Sequence, residues 1–276
     1  VLGLTPFAIY VSLFLAIPTI LAVGTGFFTE DGAVTVDNIA GLVEPAVLQT
    51  FASSFWVSAV TAVAGAIVGA LVCYALLGTR SDGAVRVFID SASSVLAQFG
   101  GVMLAFAFIA TIGVQGLVTV LLRDRLGIDI YADGVWLYQV PGLLLPYLYF
   151  QVPLMIITFM PALEGLKSHW AEANATLGGT RLGYWIYIAI PVLAPSFLGS
   201  LLLLFANAFS SYATAAALIS QGAQIVPLQI RAALVSETVL GRENMAGALA
   251  LGMVVVMVTV MFAYSALQSR TARWQR

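Results

Sequence analysis

Hydrophobic and polar positions in this chain alternate on the scale of whole helices. Apolar runs cover about Gly3 to Phe28, Phe51 to Leu77, Phe88 to Leu117, Leu137 to Ala162, Pro191 to Ile219 and Met245 to Leu267. A helix needs ~20 apolar residues to cross a bilayer, and each run supplies that length. Polar segments separate them. Thr29 to Gln49 carries Glu30, Asp31, Asp37 and Glu44, a short turn holds Arg80 and Arg86, and Leu122 to Gly134 holds Arg123, Asp124, Arg125, Asp129 and Asp133. Leu163 to Ile190 is the most structured polar piece, and Gln221 to Asn244 shows Leu228, Ala232, Val235 and Val239 at helical spacing. The pattern predicts an all-α integral membrane protein with six transmembrane helices.

Details within the runs refine this. Pro6 and Pro18 in the first predict a kinked helix, and Pro141, Pro146, Pro153 and Pro161 predict that the fourth is bent or interrupted. Gly65 and Gly69 share a face of the second, allowing close approach of another helix of this subunit or of a second one. Asp90, Ser91, Ser93, Ser94, Gln98 and Gly100-Gly101 make the start of the third too polar to face lipid all round. Trp136 and Tyr138 sit where interfacial aromatics belong. Pro191 is suited to a helix's first turn.

Composition agrees. Of 276 residues, 61% are hydrophobic and 9% charged, against about 25% charged in soluble domains. The net charge of -2 and the lack of a basic patch give no reason to expect a nucleic-acid partner. The single cysteine, Cys73, excludes an intrachain disulfide and reads as a small buried residue. The start at Val1 leaves room for a segment ahead of it, and the first run is long enough to span rather than be a cleaved leader. No internal duplication is visible. One division is residues 1–48, first helix and outer loop, and 49–276, a core whose polar elbow occupies 163–190.

Six spans put both ends on one side. Arg80, Arg86, Lys167, Arg181, Arg270, Arg273 and Arg276 on that side outnumber Arg123, Arg125, Arg231 and Arg242 on the other, which places the termini and the elbow in the cytoplasm. Within the elbow, Ser168 is expected to cap a helix through His169-Trp-Ala-Glu-Ala-Asn-Ala-Thr-Leu177, stopped by Gly178-Gly179. Thr180 is expected to cap a second short helix through Tyr187, ahead of a new helix at Pro191. The product is a helical knob suited to a groove on a cytoplasmic partner.

Glu172-Ala173-Asn174, three residues, Gly178, nine residues, then Ile188-Ala189-Ile190-Pro191 resembles the EAA motif of bacterial ABC-importer permeases, written E-A-A-x3-G-x9-I-x-L-P. Asn174 and Ile190 are the departures. The resemblance extends over roughly Gln49 to Leu267. It implies that the elbow forms coupling helices docking on an ATPase, with Trp170, Glu172, Ala173, Asn174, Gly178 and Pro191 as the coupling residues. It implies as partners two ATP-binding cassette subunits, a second permease that is a related chain or a second copy, an outer solute-binding protein and the lipid of a bacterial inner membrane. This chain would bind no cofactor; ATP and Mg would sit on the partner ATPases. Its only lysine, Lys167, follows Leu166, so no phosphate loop exists and no catalytic residue is expected.

Asn207-Ala-Phe-Ser-Ser-Tyr-Ala-Thr214, with Ile225-Val-Pro-Leu-Gln-Ile230, is similar to the spermidine/putrescine, aminoalkylphosphonate, thiamine and ferric-iron branch. Asn207, Ser210, Ser211, Tyr212 and Thr214 are candidates for lining the substrate pathway, ahead of Gln98 and Gln151. For each the alternative is a hydrogen bond between helices. No acidic cluster in the spans favours a polyamine. A stand-alone secondary transporter is the other reading; it requires ionisable residues at mid-membrane and paired broken helices, and only Asp90 comes near. An intramembrane enzyme is poorly supported, since the only histidine, His169, lies in the elbow and no metal-ligand cluster is present.

Overall fold

The computed structural model describes residues 2–29, 31–80, 82–219, 225–235 and 244–271, and the side chains of 2 and 268–271 are outside that description. The expected surface segment through Val239, with Glu237, Arg242 and Glu243, therefore lies largely outside the described residues, as do Arg273 and Arg276. Six helices are long and apolar enough to cross a membrane, and no strand occurs among the described residues. The protein is a multi-pass membrane protein. Its large exposed hydrophobic side chains, such as Phe14 and Phe262, are what a lipid-facing surface requires.

Besides a four-residue helix at Asp37–Ala40, the α-helices are α1 (Thr5–Phe27), α2 (Pro45–Leu76), α3 (Ala84–Leu96), α4 (Gly101–Ile112), α5 (Leu117–Leu126), α6 (Leu144–Glu164), α7 (Ser168–Thr176), α8 (Arg181–Tyr184), α9 (Ile190–Phe209), α10 (Ala213–Leu218), α11 (Val226–Leu234) and α12 (Met245–Thr271). The second span begins earlier than expected, at Pro45, whose missing N–H costs nothing in a first turn.

The expected third span is displaced. No helix runs from Phe88 to Leu117. The polar stretch forms α3, which ends at Leu96; residues 97–100 are non-helical, with Gly100 extended and Gly101 at φ +73, and the span is instead Gly101–Leu126. A left-handed residue cannot continue a helix, which is the physical reason for the shift. The loop expected from Leu122 consequently begins after Leu126. Arg123 and Arg125 occupy the last turn of α5, where the helix dipole favours cations. Gly127 at φ +66 ends it, with the Gly127 and Ile128 amides donating to Arg123 and Leu122 carbonyls.

Of the bend or interruption expected of the fourth span, the interruption does not occur at its inner prolines. The helix continues without interruption through Pro153 and Pro161. In α1, by contrast, a π turn occupies Ser12–Ala16 just before Pro18. Pro18 clashes with the carbonyl four residues back, and the wider turn accommodates that.

Two units are distinguishable, Val1–Ser54 with Gln224–Thr259, and Phe55–Ala223 with Val260–Arg276. The core of the first joins Val47, Val226, Met245, Ala248 and Leu249, flanked by Phe51 and Ile230. Gly26 lets the end of α1 pass the start of α12, because a Cβ there would lie 2.6 Å from the Ala248 nitrogen. The Phe28 carbonyl accepts from Asn38 Nδ2 at 3.0 Å and Asn244 Nδ2 at 2.8 Å, tying the loop after α1 to the start of α12.

In the second unit α6 is the buried axis, with Tyr147, Phe150, Gln151, Met155, Phe159 and Met160 all inside. Gly65 and Gly69 of α2 lie against it: a Cβ at Gly65 would sit 2.9 Å from Gln151 Cβ, and at Gly69 2.5 Å from Met155 Cβ. The small-residue face is thus used within this chain. Cys73 is fully buried with Sγ 3.9 Å from the Ile156 carbonyl oxygen. Helices α3 and α9 also pack on α6, and α10 packs on α4.

Candidate functional site

The elbow grows from the end of α6. Glu164 closes that helix, Gly165 to Lys167 turn the chain, and α7 follows. Ser168 is not the cap: Lys167 occupies that position with extended backbone and no side-chain capping bond, and Ser168 is the first helical residue. α7 ends as expected, at Gly178 with φ +80. Thr180 caps α8, its Oγ1 accepting from the Gly183 amide at 3.1 Å.

Asn174 closes the elbow on itself. Its Nδ2 donates to the Thr180 carbonyl at 3.1 Å, and its own carbonyl accepts the Gly179 amide at 2.8 Å. A Cβ at Gly179 would overlap the Asn174 amide and displace it. An alanine at 174 could make neither the amide donation nor that packing.

No break precedes Pro191. α8 passes through a π turn, Trp185–Ala189, directly into α9, and the candidate span is Arg181–Phe209. Pro191 stands two residues past the π turn, as Pro18 does in α1, and the same clash with the carbonyl four residues back accounts for both. The elbow's second arm is therefore one rod with the span. Trp185 anchors it, meeting Tyr74 of α2 edge-on at 5.1 Å.

The elbow's outer surface is open. Glu172, Ala173 and Gly178 are exposed, Trp170 and Asn174 half-buried. Leu177, Leu182 and Tyr187 are 88%, 70% and 80% exposed. Trp170 lies under Lys167, whose Nζ is 5.9 Å from the ring centroid.

An ion-paired group beside the elbow carried no motif in the sequence. Arg86 of α3 is buried; its Nε donates to Asp90 Oδ2 and its Nη2 to Glu164 Oε1, each at 2.7 Å. The Asp90 hydrogen bond, reinforced by Glu164, outweighs burial and pushes the Arg86 pKa up from its ordinary value. Asp90 at i+4 of Arg86 was the legible half of this group; Glu164 lies too far along the chain to be paired by spacing.

The polar run of α9 proves to be a second helix break. α9 ends at Phe209, Ser210 to Tyr212 are non-helical, and α10 begins at Ala213. This corrects the expectation of one span reaching Ile219. The two breaks meet: the Gly101 amide donates to Thr214 Oγ1 at 2.9 Å, and Tyr147 Oη donates to the Ser211 carbonyl at 3.1 Å. Asn207, Ser210, Tyr212 and Gln98 are exposed and Ser211 half-buried. Thr214 and Gln151 are buried, and Gln151 Nε2 donates to Thr61 Oγ1 of α2 at 3.0 Å. No group of His, Cys, Asp and Glu among the described residues could hold a metal ion.

No protein-family model matches the chain, and no curated protein does. Solved structures do. A chain of a bacterial ABC transporter involved in the import of the acidic polysaccharide alginate matches at TM-score 0.74 and 16% identity, over 97% of this chain and 94% of that one. The alginate transporter in complex with an alginate pentasaccharide-bound periplasmic protein matches at 0.76 and 15%, over 97% and 93%. An inward-facing methionine ABC transporter, MetNI, matches at 0.56 and 13%, over 83% of this chain and 99% of that chain. The fold is that of bacterial ABC-importer permeases. At these identities the likeness is one of fold.

Proposed function

We propose that this chain is the permease subunit of an ATP-binding-cassette importer, in which separate ATPase subunits hydrolyse ATP and the elbow transmits their closure to the membrane helices. The observation that carries this reading is the elbow. Its two helices are locked together at Asn174 and Thr180, its apolar tips point outward, and its second arm runs without a break into a membrane span. Leu177 and Leu182 exposed to this degree fit burial in a partner's groove. Glu172 and Ala173 would enter that groove, Trp170 would brace it, Gly178 would supply the turn, and Pro191 would relay movement into α9. The permease fold supports the same reading.

The assembly proposed has two ATPase subunits with ATP and Mg, a second permease chain and an outer solute-binding protein, in a bacterial inner membrane with both termini cytoplasmic. The path for the solute runs by the exposed polar groups at the α9–α10 break, Asn207, Ser210 and Tyr212, with Ser211 and Gln98. Thr214 and Gln151 serve the pathway by holding its helices in place. The cargo class, a polyamine, aminophosphonate, thiamine or ferric-iron solute, rests on the resemblance at Asn207–Thr214 and Ile225–Ile230 alone.

The paired helix breaks also suit a secondary transporter. Neither break, residues 97–101 or 210–212, contains an ionisable carboxylate, base or histidine for ion coupling. Copurification in mild detergent separates the readings. An ATPase subunit should accompany the chain, and Glu172→Arg or Gly178→Asp should abolish that association while the protein stays inserted. Purification of the intact chain alone, or unchanged association in both variants, refutes the importer reading.

A further inference from the structure

We infer that Arg86 is a positioning residue that links the elbow to the paired helix breaks, through α3 as a rigid strut. The inference rests on the importer reading. Glu164 is the last residue of α6, where the elbow's first arm joins the membrane helices. Arg86 grips that carboxylate at 2.7 Å with one nitrogen and Asp90 of its own helix at 2.7 Å with another. A planar guanidinium fork holding two carboxylates fixes direction as well as distance. α3 then runs for 13 residues, about 20 Å, toward Gly100-Gly101, where the Gly101 amide is held by Thr214 of α10. One end of α3 is thus tied to the root of the elbow and the other leads to the break. α3 also packs along α6, so it can transmit force without bending. The pairing with Asp90 stays within α3, whereas only the pairing with Glu164 crosses between helices.

That asymmetry supplies the test. Glu164→Gln removes the charge from the crossing pair while Asp90 still neutralises Arg86; Asp90→Asn does the reverse. The complex of this chain with its copurifying ATPase, in lipid nanodiscs, carries spin labels at Ala175→Cys in the elbow and Val95→Cys near the far end of α3, with Cys73→Ala. Distances are recorded without nucleotide and with Mg-ATP plus vanadate. In the otherwise native chain the label distance should be the same in both states. Glu164→Gln should add a second distance in the trapped state, and Asp90→Asn should not. Gel filtration and thermal melting of each variant confirm that it is folded. An intact complex in which Glu164→Gln matches the native chain, in which Asp90→Asn matches Glu164→Gln, or in which the native distance shifts overturns the linkage alone. A chain that purifies without an ATPase overturns the importer reading and the linkage with it.

Discussion

The amide of Gly101 donates to Thr214 Oγ1 at 2.9 Å, joining the first turn of α4 to a buried hydroxyl on α10. Both residues stand at helix starts, where the first backbone amides lack partners within their own helix. The amide left open at the first break is therefore satisfied by a side chain of the second.

Thr214→Val tests that joint. The replacement keeps the shape and removes the acceptor, leaving a buried amide unpaired at roughly 1–3 kcal/mol. Amide exchange at Gly101 should accelerate about tenfold, while Thr214→Ser stays near the native rate. Equal exchange in all three chains means that the hydroxyl does not hold the break.

Asn174 makes the elbow's own closure testable. Asn174→Ala removes the donation to Thr180 and should cost about 1 kcal/mol of local stability. Hydrogen exchange across α7 and α8 should rise together while exchange in α6 stays unchanged. A native exchange pattern would show that Thr180 capping alone closes the elbow.

The number of spans was legible because lipid demands about 20 apolar residues per crossing, and composition reports that directly. Where the breaks fall was less so. Ser91 to Gln98 and Asn207 to Thr214 both read as polar patches inside helices, but what ends a helix is local backbone geometry. Extended Gly100 and left-handed Gly101 at φ +73 keep α3 and α4 from forming one helix in the first case. The turns at Gly178 and Thr180 were legible because their chemistry is local. The Arg86–Glu164 pair was not, because it joins residues 78 apart in the chain. Gln151 and Thr214 share the polar character of their exposed neighbours; only packing distinguishes those that brace helices from those that face a cavity.

Gly69→Ala should destabilise the chain by about 1–3 kcal/mol, the cost of overpacking a close contact. The added methyl would lie 2.5 Å from Met155 Cβ and 3.0 Å from the Val152 carbonyl oxygen, neither of which is the free end of a flexible side chain. Gly78→Ala meets nothing within 4 Å and serves as the control. Thermal unfolding in detergent should fall for the first variant only; equal melting of both would mean that α2 can withdraw from α6 without loss.

Gln151 and Thr61 should respond unequally to losing one another. Gln151 Nε2 donates to Thr61 Oγ1, and Thr61 in turn donates to the Val57 carbonyl at 2.7 Å. Gln151 Oε1 is buried without a hydrogen-bond partner among the described residues. Gln151→Met therefore leaves Thr61 bonded and removes an unpaired acceptor, so its stability should stay within about 0.5 kcal/mol of native or rise. Thr61→Val strands the whole buried amide and should cost roughly 1–3 kcal/mol. If Gln151→Met is instead the more damaging change by detergent melting, the amide oxygen has a partner in the membrane that Met cannot replace. The residue would then belong to the pathway rather than to the α2–α6 contact.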